Sequence, residues 1–246
     1  MIQLAPVAGI PEVTPGDALG ELIVRVLPGP LHRGDVLVVA QKVVSKAEGR
    51  LVRLDTITPS EFAVSVARTL GGKDARLIEI ILGEAKRIVR MDHGVLIVET
   101  HQGFVCANGG VDLSNVDGGT TASLLPLDAD RSAGHIARAV EAATGIHIPV
   151  IISDTFGRPW REGLVDVAIG VHGMAALRDY RHQSDPHGYT LRATVLAEAD
   201  QLAAAAGLLF RKNSGVPACI IRGFDCQEGE GGVQHLIRNP DHDLFR

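Results

Sequence analysis

Aromatic residues are nearly missing from this sequence. One tryptophan, two tyrosines and six phenylalanines stand in 246 residues, so aliphatic side chains and alanine must fill any interior. Cysteine is as scarce. Cys106, Cys219 and Cys226 are widely spaced, form no C-x-x-C pair and cannot make an even disulfide framework. A reducing cytoplasm is the expected home. No apolar run approaches the ~20 residues that a membrane helix needs. The opening MIQLAPVAGIPEV has neither a charged n-region nor a long apolar h-region, so no targeting segment is expected. There is no basic excess: the net charge of −5 argues against a general nucleic-acid or membrane-surface binder, and any anionic ligand must be held by a local basic site. Familiar chemical signatures are also absent. The chain has no GxxxxGK[ST], no GxGxxG after a strand, no HExxH and no GxSxG. Its ten histidines are scattered, and His182 and His187 share a polar loop with no cysteine or third histidine near, which argues against zinc.

The remainder is an ordinary globular balance, 46% hydrophobic and 22% charged, in a length that suits one large domain or two intertwined small ones. Thr14-Pro15 is expected to open a helix that Pro28-Gly29 closes. GDVLVVAQ (34–41) reads as a buried strand. TPSE (58–61) has the form of a capping box before a helix with Phe62, Val66 and Leu70 on one face. VLIVET (95–100) and FVCA (104–107) read as a hairpin across His101, Gln102 and Gly103. Residues 131–144 carry Ala133, Ile136, Ala137 and Val140 on one helical stripe, with Gly145 as the stop. PVIIS (149–153) and PACIIRG (217–223) read as strands, and 191–209 as a long alanine-rich helix with Leu191, Val195, Leu202 and Leu209 inward. Strands and helices mix without a strict βαβ rhythm, which predicts an α+β fold: mixed β-sheets with flanking helices.

Four stretches carry unusual chemistry. GIPEV (9–13) sets glycine and proline beside an N-terminal strand, where bare backbone N–H groups can meet an anion, or where the chain simply turns. AQKVVSKAEGR (40–50) delivers Gln41, Lys42, Ser45 and Lys46 at a strand end; lysines there suit phosphate, or form a solvated basic edge. GGVDLSNVDGG (109–119) flanks Asp112, Ser114, Asn115 and Asp117 with glycine pairs. Its acids suit a hard cation such as Mg²⁺, or cap local N–H groups in an Asx-turn. SDTFGRPWREGLVDVAIG (153–170) places Asp154 and Thr155 just past a strand's carboxyl end, where open α/β sheets bind ligands. A carboxylate beside a hydroxyl can hold Mg²⁺. Arg158 and Arg161 offer forked donors to anions, or Arg161 pairs with Glu162 across a surface turn. His172 is expected to be structural. Together these residues suggest a metal–polyphosphate site without a P-loop, and they do not name an acceptor.

These motifs, with the closing EGEGGVQHLIRNPDHDLFR, resemble the coenzyme F-420-0: L-glutamate ligase family over residues 9–246. The resemblance implies an enzyme that joins L-glutamate to the deazaflavin F-420-0 and then adds further glutamates through γ-linkages. It implies GTP as co-substrate, two divalent cations (Mg²⁺ or Mn²⁺) and K⁺. It further implies an intertwined homodimer with a family-specific, P-loop-free α+β fold. Some relatives carry a C-terminal nitroreductase-like domain; a single ligase domain over 1–246 is expected here. By motif, Gly9, Ile10, Pro11 and Glu12 would touch GTP, as would Gln41, Lys42, Lys46 and Asn115. Asp112, Asp154 and Thr155 would bind metal and carry catalysis. Phe210, Arg211, Lys212 and Gly215 match a nucleotide-contacting turn, although relatives read closer to M-G-x where this chain has Phe210-Arg211-Lys212. Asp200 matches an acidic position of the long helix. Neither nucleic acid nor membrane is expected as a partner. The alternatives are another nucleotide-dependent carboxylate–amine ligase, a non-catalytic GTP-binding protein, or a metal-stabilised structural protein.

Overall fold

The structure is a computed structural model, and it describes residues 1–114, 117–211 and 214–243. The chain begins with β1 (Gln3–Val7), α1 (Leu19–Arg25), β2 (Val36–Ala40) and α2 (Gln41–Ala47). A middle section follows: β3 (Leu51–Arg53), α3 (Glu61–Thr69), α4 (Ala75–Glu84), β4 (Ala85–Asp92), β5 (Val95–Thr100), β6 (Val105–Ala107) and β7 (Thr121–Ser123). The chain then forms α5 (Ala129–Thr144), β8 (Val150–Arg158), β9 (Arg161–His172), the short pair β10 (Arg178–Asp179) and β11 (Val195–Leu196), α6 (Glu198–Gly207) and β12 (Ala218–Arg222). This is the expected mixed α+β architecture. Among the described residues, no helix is long and apolar enough to cross a membrane.

The main sheet has five strands in the order β1-β12-β2-β8-β9. Only β2 and β8 run parallel; the other pairings are antiparallel. Because strand side chains alternate, both faces of a central strand can be buried. Leu37 and Val39 of β2 join α1 and α5 on one face, while Val36 and Val38 join the alanines of α6 on the other. Each fully buried Val, Leu or Ile contributes about 1.5–3 kcal/mol, so the strand that leads into α2 is held from both sides. A separate cluster packs α3 and α4 against β5 and β7.

Several expectations are corrected. Thr14 does not open α1; its N–H and hydroxyl both donate to Asp17, and the helix starts at Leu19. Ser60, rather than Thr58, caps α3, accepting from the Ala63 N–H. Phe62 is exposed, because Ala63, Val66 and Ala67 form the buried face. The last helix begins at Glu198, not 191, since Val195 and Leu196 pair with Asp179 and Arg178. The hairpin at 101–103 and the helix ending at Gly145 (φ +71°) stand as expected.

One ion pair ties the end of β12 to the start of β2. Arg222 of β12 donates from Nε and Nη2 to the buried Asp35 at 2.8 and 2.7 Å, and also to the Pro30 carbonyl. Burial alone would raise the Asp35 carboxyl, but the bonds and charge of Arg222 outweigh it and hold the pKa below the ordinary value. Asp35→Asn should cost about 2 kcal/mol, toward the low side for an ion pair because the partly exposed guanidinium stays hydrated. A depressed folded pKa contributes stability that is complete above the unfolded value, about 4, and is lost as pH falls through the folded one. Calorimetry should therefore separate the two proteins at pH 7 and bring them together near pH 2.

Candidate active site

A cleft of about 450 Å³ opens where β2 passes into α2 and beside the outer half of β8. Segments that are distant in sequence line it. Ile10, Pro11 and Glu12 come from the turn after β1; Gln41, Lys42 and Lys46 from α2; Asp112 from the segment before β7. Asp154 and Thr155 come from β8, and Phe210, Arg211 and Gly215 from the turn after α6. Gly9 does not line the cleft, but its left-handed backbone (φ +84°) turns the chain toward it. Asn115 and Lys212 lie outside the described residues.

The local sequence explains the placement. In α2, residues four apart share a face. Gln41 and Ser45 point inward, where the Gln41 amide donates to Ser45 Oγ (2.5 Å) and the Leu124 carbonyl (3.0 Å). Lys42 and Lys46, one position on, face the cleft. Each meets an acid. Lys42 Nζ donates to Asp112 Oδ2 (2.7 Å), to the Ser114 carbonyl (2.6 Å) and to Ser114 Oγ (2.8 Å). Lys46 Nζ donates to Glu12 Oε1 at 2.5 Å. Asp112 also accepts from the Ser114 N–H, an Asx-type turn, while its backbone bridges Ser123. Burial pushes the Asp112 carboxyl up, but bonds from Lys42 and Ser114 and the Lys42 charge hold it below the ordinary value. Asp112 is therefore ionised at neutral pH. Asp117 plays the purely local part, accepting from Thr121 Oγ1.

The 153–163 stretch differs from its expected form. It is not a loop beyond a strand: β8 runs on to Arg158 and pairs with β9 as a long hairpin. Trp160 sits at the tip, 79% exposed and with φ +58°. Arg158 Nη2 donates to the Glu162 carbonyl, and neither Arg158 nor Arg161 lines the cleft. His172 lies outside the cleft as well; burial, then the charges of Arg138 and His147, hold its pKa below the ordinary value.

The donors gathered in the cleft are carboxylate and hydroxyl oxygens, a set that suits a hard divalent cation. Ser153, which also lines the cleft, keeps a buried Oγ with no hydrogen-bond partner in the structure. Among the described residues, no three His, Cys, Asp or Glu side chains gather as a complete metal nest. Mg²⁺ typically takes one or two protein carboxylates and fills its shell with water and substrate phosphate oxygens; Asp112 and Asp154 are the carboxylates that would hold it here. A soft thiolate site does not fit: burial, then the Asp154 charge, push the Cys106 thiol up to about 12. One lining acid escaped the motif reading, Asp166 of β9, which accepts from Thr155 Oγ1 at 2.6 Å.

The fold and the cleft define an α+β protein that gathers lysines, carboxylates and hydroxyls at the carboxyl end of β2 and along the outer half of its parallel neighbour β8. The chain belongs to the F420-0:gamma-glutamyl ligase family, whose model matches residues 9–223. It is similar to the coenzyme F420:L-glutamate ligase of Methanothermobacter thermautotrophicus, 46% identical over 251 residues that cover 100% of this chain and 99% of that protein. The Methanopyrus kandleri protein of the same description is 44% identical over 250 residues, covering 100% and 98%. The Archaeoglobus fulgidus one is 39% identical over 246 residues, covering 100% and 96%.

Proposed function

We propose that this chain is a cytoplasmic ligase that uses GTP to add L-glutamate to coenzyme F420-0, and then further glutamates by γ-linkage. One observation carries the reading: Lys42, Lys46, Asp112, Asp154 and Thr155 converge on a single cleft. A free carboxylate and an ammonium do not readily form an amide in water. In the proposed route, an oxygen of the acceptor carboxylate attacks the γ-phosphorus of GTP. GDP leaves, and an acyl phosphate forms. The glutamate amine then attacks the acyl carbon, phosphate departs with the bonding pair, and the nitrogen gives up a proton.

Each residue has a part in that route. Lys42 and Lys46 neutralise phosphate charge, exchanging Asp112 and Glu12 for the nucleotide. The GIPE turn, Gln41 and the turn holding Phe210, Arg211 and Gly215 cradle the nucleotide. Asp112, Asp154 and Thr155 hold the divalent cation, Mg²⁺ or Mn²⁺, which supplies Lewis-acid charge stabilisation when bound. The cleft is open, so bound nucleotide and acceptor have to cover it to keep water from the acyl phosphate. K⁺ is a further activator, and a homodimer is the working assembly of a single ligase domain.

The test is mass spectrometry of F420-0 incubated with the protein, GTP, L-glutamate, Mn²⁺ and K⁺. Products heavier by successive glutamyl units, with matching GDP release, are the expected result. No product while GTP still binds would move the reading to another acceptor or to a non-catalytic role. ATP serving as well as GTP would remove the nucleotide preference.

A further inference from the structure

The β8–β9 ladder has two irregularities, at Ile152/Ser153 and at Gly157/Arg158, and the first bears on where Asp166 stands. Ile152 pairs with Gly170, but the next residue, Ser153, pairs with Ala168, so Ile169 is an extra residue on β9. A ladder without this bulge would set Val167 opposite Thr155. With it, Asp166 stands there instead. Bulges of this kind re-aim side chains beside functional sites. The bulge is fastened from α6, whose Asp200 Oδ1 accepts the Ala168 N–H at 2.9 Å. Further along the same helix, Gly207 faces the Asp166 carboxylate closely. A Cβ at Gly207 would lie 2.5 Å from Asp166 Oδ2 and 2.9 Å from its Cγ, so only glycine leaves the carboxylate its seat.

The seated carboxylate acts on a hydroxyl. Thr155 Oγ1 donates its only proton to Asp166 Oδ1 at 2.6 Å. A hydroxyl has one donor and two lone pairs. With the proton fixed on Asp166, the lone pairs of Thr155 Oγ1 are left to face outward as a cation ligand. We infer that Asp166, seated by the bulge and by Gly207, is a positioning residue that holds Thr155 as an oxygen donor for the divalent cation. This rests on the reading of Asp154 and Thr155 as cation ligands. An amide at position 166 can turn its NH₂ toward Thr155 and occupy the lone pair that the cation needs.

The test is a double-mutant cycle read by metal affinity. Mn²⁺ is titrated into the full chain with GTP present and with glutamate and acceptor absent, and free Mn²⁺ is followed by electron paramagnetic resonance. Wild type, Asp166→Asn, Thr155→Val and the double variant are compared. Asp166→Asn is expected to bind Mn²⁺ about 10–100-fold more weakly, the usual effect of losing an outer partner of a metal site, and Thr155→Val, which removes the ligand itself, at least as weakly. The double variant is expected to be no weaker than Thr155→Val alone, because Asp166 acts through that hydroxyl. Gly207→Ala moves the carboxylate without changing it and should weaken binding similarly; it is the second probe if the asparagine variant does not fold. Additive losses would overturn the inference, since Asp166 would then act on its own. Wild-type affinity in Asp166→Asn would overturn it too, while leaving the cation site standing. A wild-type protein that binds no Mn²⁺ would remove both.

Discussion

Replacing Asp154 with asparagine should lower glutamyl transfer about a thousandfold. A cation clamp on transferring phosphate is worth several kcal/mol, and each 1.36 kcal/mol is tenfold in rate. Asparagine keeps the shape and one oxygen but loses the charge, and a neutral amide oxygen holds Mg²⁺ or Mn²⁺ more weakly than a carboxylate does. The loss should appear in kcat and should ease as Mn²⁺ is raised, because metal occupancy is what the variant lacks. The ladder around position 154 is a backbone pairing with Val167, which an asparagine can also make. A thermal melt run beside the kinetics separates lost turnover from lost folding. Normal turnover of Asp154→Asn at ordinary metal concentration would remove Asp154 from the site.

The reach of the sequence can be judged element by element. The hairpin at 101–103 was legible because two short β-rich runs flank a glycine-bearing turn. The helix before Gly145 was legible through its stripe and its stop, and the structure adds the Asp128 cap at its start. Both signals are local. The length of β8 was not legible, because Asp154 to Arg158, Phe156 apart, are polar or glycine and gain their strand geometry from β9 across a hairpin. The start of α6 failed for a related reason: Val195 and Leu196 continue a helical stripe but are claimed by a strand pairing with 178–179. At the site, the resemblance named the separate motifs, and the cleft shows that they meet. Asp166 lay beyond this kind of reading. Its place opposite Thr155 depends on one extra residue in a pairing that no single stretch reveals.

Lys42→Met should move two measurements in opposite directions. Methionine keeps much of the apolar stem and removes the ammonium. That ammonium donates to Asp112 Oδ2 at 2.7 Å, so it competes with any cation for the same oxygen. A partly exposed pair of this kind is worth about 1 kcal/mol or less, so Mn²⁺ binding without nucleotide should tighten by up to about fivefold. Without Lys42, burial still pushes the Asp112 carboxyl up while the bond and charge of the lysine no longer hold it down, so it should titrate at a higher pH than in wild type. Turnover should nevertheless fall by about a hundredfold, because a preorganised charge on the transferring phosphate is gone. Metal titration without GTP, set beside steady-state kcat and KM for GTP, reads both effects. Tighter Mn²⁺ with poor turnover makes Lys42 a cation that leaves the acid for the nucleotide. Weaker Mn²⁺ together with poor turnover would instead make the lysine a support for the Asp112 loop, and retained turnover would take it off the phosphate altogether.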